Sequence, residues 1–236
     1  MVKPKKKLSP QRGLILALIF TLVFTFLSGG ILRDWGAISI SDVELQTTSG
    51  NTIVARIYRP DRGFVAIMPD MLNHGDSDIT DASVYLAPAS VNDAYGAYAA
   101  VRYAATLDYV DKAQIGVAGH SAGGQAANNC VRMDNAEETP IISAIYLVSS
   151  DPVYVDEDGK WANIYGSRDM GVYYTLYDHV YFKGVGPKGE TLAAQQWLSS
   201  ESAKSLFAFG QDPSAFEGRE VVPGHTYVGE VDGKQV

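Results

Sequence analysis

The sequence contains one cysteine, four histidines and no acidic residue before Asp34. A lone thiol, Cys130, excludes an internal disulfide, and no cysteine follows the N-terminal apolar run where a lipid could be attached. Its expected role is packing on a helix. No His/Cys spacing suits zinc, and "VDEDGK" (155–160) has too few correctly spaced oxygens for a calcium loop. "HGDSD" (74–78) reads as a solvated loop rather than a metal cluster. No strand runs into a G-x-G-x-x-G phosphate loop, so neither a dinucleotide nor any other cofactor is expected. Charge is absent from Gly13 to Leu32, and acids outnumber bases 27 to 19 over the whole chain.

The uncharged stretch "GLILALIFTLVFTFLSGGIL" follows Lys3, Lys5, Lys6, Lys7 and Arg12. A basic flank before about 20 apolar residues reads as a tail (1–12) and a membrane segment (13–33). The positive-inside rule then keeps the tail in the cytoplasm and puts residues 37–236 on the other side. A cleavable signal peptide is the alternative, since "SGG" at 28–30 offers small residues after the run. Five of the 19 basic residues lie before the apolar run, which leaves 14 against 27 acids in the remainder. Such a domain is expected to repel nucleic acid. With 236 residues, 46% of them hydrophobic, the chain can bury one sizeable core.

Residues 37–48 and 52–60 alternate around the turn "SGN" and predict a hairpin. "GFVAIMPD" (63–70) predicts a short buried strand and "MLNHGDSDITD" a polar loop. Helical spacing runs from Ser90 to Asp108. "QIGVAG" (114–119) is a second buried strand, followed by a helix over 121–133, strands over 141–150 and 170–178, a helix over 191–209 and a last short strand over 219–224. Strands alternating with helices predict an α/β domain with a mainly parallel sheet and flanking helices, preceded by one transmembrane helix.

Gly119-His120-Ser121-Ala122-Gly123 fits G-x-S-x-G, in which a sharp turn between strand and helix lifts a serine hydroxyl above the sheet. Glycines are expected at 119 and 123 because a side chain there would collide with the strained turn or the neighbouring backbone. The helix beginning after Ser121 aims its amide dipoles at the hydroxyl and can stabilise negative charge beside it.

Together with this elbow, "MPDMLNHGDSD" (68–78) and "VNDAYGAYAAVRYAATLDYVDKAQIGVAGHSAGG" (91–124) resemble the α/β-hydrolase superfamily, in particular its bacterial, membrane-anchored, dienelactone-hydrolase-like or esterase-like members. The likeness runs from about Ser39 to Phe182. It implies a serine hydrolase cleaving an ester, or less readily an amide, of a small or lipid-like molecule through an acyl-enzyme. In the order it implies, Ser121 is the nucleophile, an aspartate the acid and a later histidine the base. Asp178, after "MGVYYTLY", is the first choice for the acid and Asp169 the second, while Asp151 reads as a turn former or helix cap. Of the four histidines, His120 lies in the elbow, His74 precedes the serine and His179 adjoins the acid, which leaves His225. The Ala122 amide is one oxyanion donor.

The resemblance also implies a further strand, its His-Gly loop and a crossover helix before "GFVAIM", where only Asp61 and Arg62 follow "IYRP". Such a unit takes about 30 residues and would supply the second oxyanion donor. Direct pairing of "GFVAIM" with "QIGVAG" would let Asn73, His74 and Gly75 replace that loop. The family also implies a helix behind the histidine loop, and 11 residues follow His225. The alternative function is a catalytically inactive fragment serving as a membrane-anchored binding module or left by truncation.

Overall fold

The structure is a computed structural model, and it describes residues 9–80, 92–178, 184–185, 190–231 and 234–235. Two compact units emerge, one of Met1–Val43 with Arg56–Met68 and one of Glu44–Ala55 with Pro69–Val236.

In the first unit, helix α1 spans Pro10–Leu32, with Ser9 as N-cap accepting from the Arg12 N–H and proline in the first turn. At about 1.5 Å per residue it is about 35 Å long, enough to cross a bilayer. No residue on it is buried, and its leucines and phenylalanines face outward on every side. Its sequence window has a mean hydropathy of 2.4. Beyond it Trp35, at φ 54°, folds its ring over Gly30, where an added Cβ would lie 2.6 Å from the ring. Strands β1 (Ile38–Gln46), β2 (Thr52–Pro60) and β3 (Ala66–Pro69) form one sheet in that order, of which residues 44–46, 52–55 and 69 belong to the second unit. Asp42 and Arg56 make a two-pronged ion pair, at 2.7 and 3.1 Å, on exposed positions of the first two strands.

In the second unit the polar loop after β3 folds around Asp70. Asp70 accepts from the Asp76 N–H, and Gly75 (φ 54°) leaves no room for a side chain, since its Cβ would meet the Asp70 carboxylate at 1.9 Å. The expected helix from Ser90 is regular only over α3 (Ala97–Ala104); Ser90 itself lies outside the described residues. The preceding turn α2 (Asn92–Tyr95) is left-handed at Asp93, Ala94 and Tyr95, with φ of 51°, 55° and 61°. Tertiary contacts override helical periodicity there. The Asp93 carboxylate is fully buried, takes the Thr48 N–H and hydroxyl, and pairs with Arg102. Burial alone would raise its pKa, but the bonds from Arg102 and Thr48 outweigh that and hold the carboxyl below its ordinary value.

Strand β4 (Ile115–His120), helix α4 (Ala122–Asp134), β5 (Ile142–Val148) and β6 (Asp169–Tyr173) make the α/β core. The strands run parallel in the order β4-β5-β6. Helices α3 and α4 bury one face through Tyr98, Val101, Ala127, Cys130 and Val131 against Ile115, Ile145 and Leu147. Among the described residues the opposite face is open. Gly116, Ala118 and His120 are exposed, as are Tyr146 (47%) and Tyr173 (54%). Parallel sheets are normally covered on both faces.

Two expectations are corrected here. Strand β3 takes its ladder from β2, while β4 is the edge of the other sheet, so among the described residues no direct pairing of "GFVAIM" with "QIGVAG" replaces the missing unit. Residues 219–224 form no strand. The Val221 N–H donates once, to Leu198 (2.8 Å), and the chain then turns at Pro223, which has no N–H to give, and Gly224 (φ 72°). The segment 191–209 begins as a strand pair, β8 (Thr191–Leu192) with β7 (Gly184–Val185), and passes through a 3-10 turn into helix α5 (Glu201–Phe207). Strands β9 (Glu230–Val231) and β10 (Lys234–Gln235) pair antiparallel.

Cys130 packs as expected, 1% exposed within the core. Burial, with the Asp134 and Asp93 charges, pushes its thiol up to about 12. Folding thus favours the protonated thiol. The linked stability is full below the ordinary thiol range and is lost as pH rises from there to about 12. Iodoacetamide at pH 8 is expected to leave the native chain unmodified and to alkylate it once denatured, as mass spectrometry would read. Modification of the native chain at the denatured rate would contradict this burial.

Candidate active site

Ser121 stands between the last residue of β4 and the first of α4 with φ 55° and ψ −119°, a conformation that costs a non-glycine residue about 1–3 kcal/mol. Tertiary hydrogen bonds hold it there. Its N–H donates to Val148 O on β5 (3.0 Å), and its carbonyl accepts from the Gly124 and Gln125 N–H groups (2.9 and 3.2 Å). Ala122 opens the helix, so its N–H has no carbonyl one turn below and remains available to an incoming oxyanion. The elbow's glycines divide unlike the expectation. A Cβ on Gly119 would lie 2.1 Å from the Gly123 carbonyl carbon and oxygen, whereas one on Gly123 meets nothing within 4 Å. The second tight position is Gly124, where a Cβ would fall 2.3 Å from that of Ser150.

A sequence-family profile described as "alpha/beta hydrolase fold" matches residues 81–177, which contain this elbow and the strands around it. The chain has an α/β-hydrolase fold. Similar solved structures include an esterase from Pyrococcus furiosus, 16% identical over 50% of this chain and 54% of that one, with TM-score 0.38. Esterase Est22 is 15% identical over 70% and 59%, with TM-score 0.41. A hypothetical protein from Pseudomonas aeruginosa is 21% identical over 48% and 43%, with TM-score 0.40. The chain thus spans under two thirds of the length of each of these proteins. No curated protein matches it.

Within this hydrolase fold the other expected site residues are dispersed. Asp178 lies in a turn five residues beyond β6, its N–H donating to Thr175 (3.1 Å), in the loop that leaves the same, carboxyl end of the sheet as Ser121. His225 is exposed and stacks edge-on against Tyr227, ring centres 4.7 Å apart. It lines a cavity of about 310 Å³ with Asp169, Met170, Phe207 and Tyr227. Asp169 begins β6, opposite Ala144, and Tyr173 ends it, opposite the Val148 that binds Ser121. The four residue steps between them, at about 3.3 Å each, separate the two ends by about 13 Å. The structure therefore does not bring His225 to Ser121. It places His225 with Asp169, the second-choice acid, at the amino end.

Neither of the other two described histidines is bonded to Ser121. His120 ends β4 on the open face and His74 sits in the loop around Asp70, its Nδ1 3.1 Å from the Leu72 carbonyl oxygen. His179 lies outside the described residues. The Ser121 hydroxyl makes no hydrogen bond among the described residues. At Gly75 an added Cβ would meet the Asp70 carboxylate, which by itself accounts for a glycine in "NHG".

Two features beside the elbow have no local signature in the sequence. Ser149, at φ 45°, follows the Val148 that holds Ser121, and its own N–H donates to Tyr173 O (2.7 Å). The loop after β5 is tied to α4 through Tyr165, whose hydroxyl takes the Val153 N–H (2.7 Å) and donates to Asn128 Oδ1 (2.9 Å). Asn128 in turn donates to the Asp151 carbonyl (2.9 Å), so Asp151 acts through its backbone in this loop. Strand-end serines carry no signal of their own; only the register of β4, β5 and β6 puts them beside the nucleophile.

Proposed function

We propose that the chain is a membrane-anchored serine hydrolase cleaving an ester of a small or lipid-like molecule, with Ser121 as nucleophile and the Ala122 N–H as oxyanion donor. The observation that carries this reading is the strained conformation of Ser121 at the N-terminus of α4. Attack of the hydroxyl on the ester carbonyl expels the alcohol and forms an acyl-serine; water then releases the acid and regenerates the serine. One donor of the usual pair is worth about 100- to 1,000-fold in rate, so a single amide predicts a slow enzyme. Asp178 leaves the correct end of the sheet to orient a base, but His225 as drawn from the sequence would need its whole loop to move. Helix α1 anchors the domain, with the basic tail in the cytoplasm and the catalytic unit on the other side.

The second reading, an inactive hydrolase fold kept for binding, is favoured by two features of the described residues: none of them bonds the Ser121 hydroxyl as a base, and none pairs with β4 on the side away from β5.

A fluorophosphonate probe on the full chain in detergent separates these readings. Labelling is expected, lost in Ser121→Ala and retained in His225→Ala. Loss in both would restore His225 as the base. A chain that is folded by circular dichroism and stays unlabelled belongs to the second reading.

A further inference from the structure

The cavity at the amino end of β6 has no part in the proposed ester chemistry, yet it is built from residues that suit a ligand. Helix α5 and the turn after it bring Phe207 and Phe209 to one wall, and the segment after Val222 brings His225 and Tyr227 to another. Phe207 and Tyr227 lie 5.1 Å apart, their ring planes tilted by 49°. At about 310 Å³ the space suits a ligand with one ring or a short alkyl group.

Charge decides what that ligand carries. Arg168 lines the cavity, but its guanidinium is already committed. It pairs with Asp134 (2.7 Å) and donates to Asn135 Oδ1 and to the Ile142 and Tyr165 carbonyls, with its side chain only 8% exposed. Asp169 is the reverse case. Its carboxylate is exposed and has no hydrogen bond or ion pair among the described residues. Among the described lining residues other than His225, the charge without a partner is therefore negative, on a wall shared with the rings of Phe207, Phe209 and Tyr227, and aromatic rings attract cations.

We propose that this cavity binds a small organic cation, an amine or quaternary ammonium bearing an aromatic or alkyl group. Asp169 meets the charge, and Phe207, Phe209 and Tyr227 hold the cationic head and its apolar group. The site lies across the sheet from Ser121 and does not depend on Ser121 being active.

Calorimetric titration of the full chain in nonionic detergent tests it, with benzyltrimethylammonium as the probe and benzyl alcohol and benzoate as neutral and anionic counterparts. Saturable binding of the cation is expected, at least about tenfold tighter than either counterpart. Asp169→Asn, which keeps shape and removes charge, should weaken it by about tenfold or more. Phe207→Leu should weaken it by about two- to fivefold. Equal affinity for benzyl alcohol, no binding of the cation, or full affinity in an Asp169→Asn chain with an unchanged melting curve would each overturn the proposal.

Discussion

Asp134→Ala is expected to lower the stability of the α/β unit by about 3–5 kcal/mol, a large share of the roughly 5–15 kcal/mol of a typical domain. The carboxylate is fully buried at the C-terminal end of α4, a position the helix dipole disfavours for an anion. Four donors offset that cost. Arg168 reaches it at 2.7 Å, the Ile141 and Ile142 N–H groups at 3.0 Å each, and the Tyr98 hydroxyl at 3.1 Å. One side chain thereby joins α3, α4 and the starts of β5 and β6. Removing it leaves the buried Arg168 guanidinium without its counter-charge and strands two amides and a hydroxyl. Arg168→Met leaves Asp134 with three donors and should cost less. Urea unfolding of the two variants checks the order, and a more severe Arg168→Met would show that the carboxylate is not the hub.

Gly119→Ala should be the next most damaging change, at about 3 kcal/mol or more, because the clash is with backbone. A Cβ there would enter the first turn of α4, within 2.5 Å of the Gly124 nitrogen as well as 2.1 Å of the Gly123 carbonyl. No rotamer can relieve it; the helix must move off the strand, and the elbow that strains Ser121 moves with it. Gly123→Ala, by contrast, meets nothing and should gain up to about 1 kcal/mol from helix propensity. Thermal melts of both variants, read with probe labelling, test this. Equal losses at 119 and 123 would mean that the helix does not lie against the strand as described.

The elbow was legible because its signals are local. A short apolar run ending in glycine, then serine, then small residues, is a strand, a turn and a helix start within 20 residues. The base was not legible by the same means. His225 satisfied the order implied by the resemblance, but chain order does not say to which end of a sheet a loop returns, and residues 219–224 fold as a turn against Leu198 rather than as a strand pointing toward Ser121. The left-handed run at Asp93–Tyr95 was hidden for a related reason: alanines and aromatics at helical spacing predict a helix, and the pull of Thr48 and Arg102 on Asp93 comes from residues far away in sequence or a turn beyond.

What the sequence by itself determined is the apolar helix, the parallel strand-helix-strand core and the position of Ser121, because hydrophobic period and glycine spacing act over one to four residues. The tertiary structure alone decided that β4 is an edge strand among the described residues, that Gly124 rather than Gly123 is the glycine packed against Ser150, that Asp134 and Arg168 form the buried link, and that His225 joins Asp169 beside a separate cavity. Each of these depends on register and on which end of a strand a distant segment reaches. Those choices are made by packing and by hydrogen bonds between residues tens of positions apart, which no local pattern encodes.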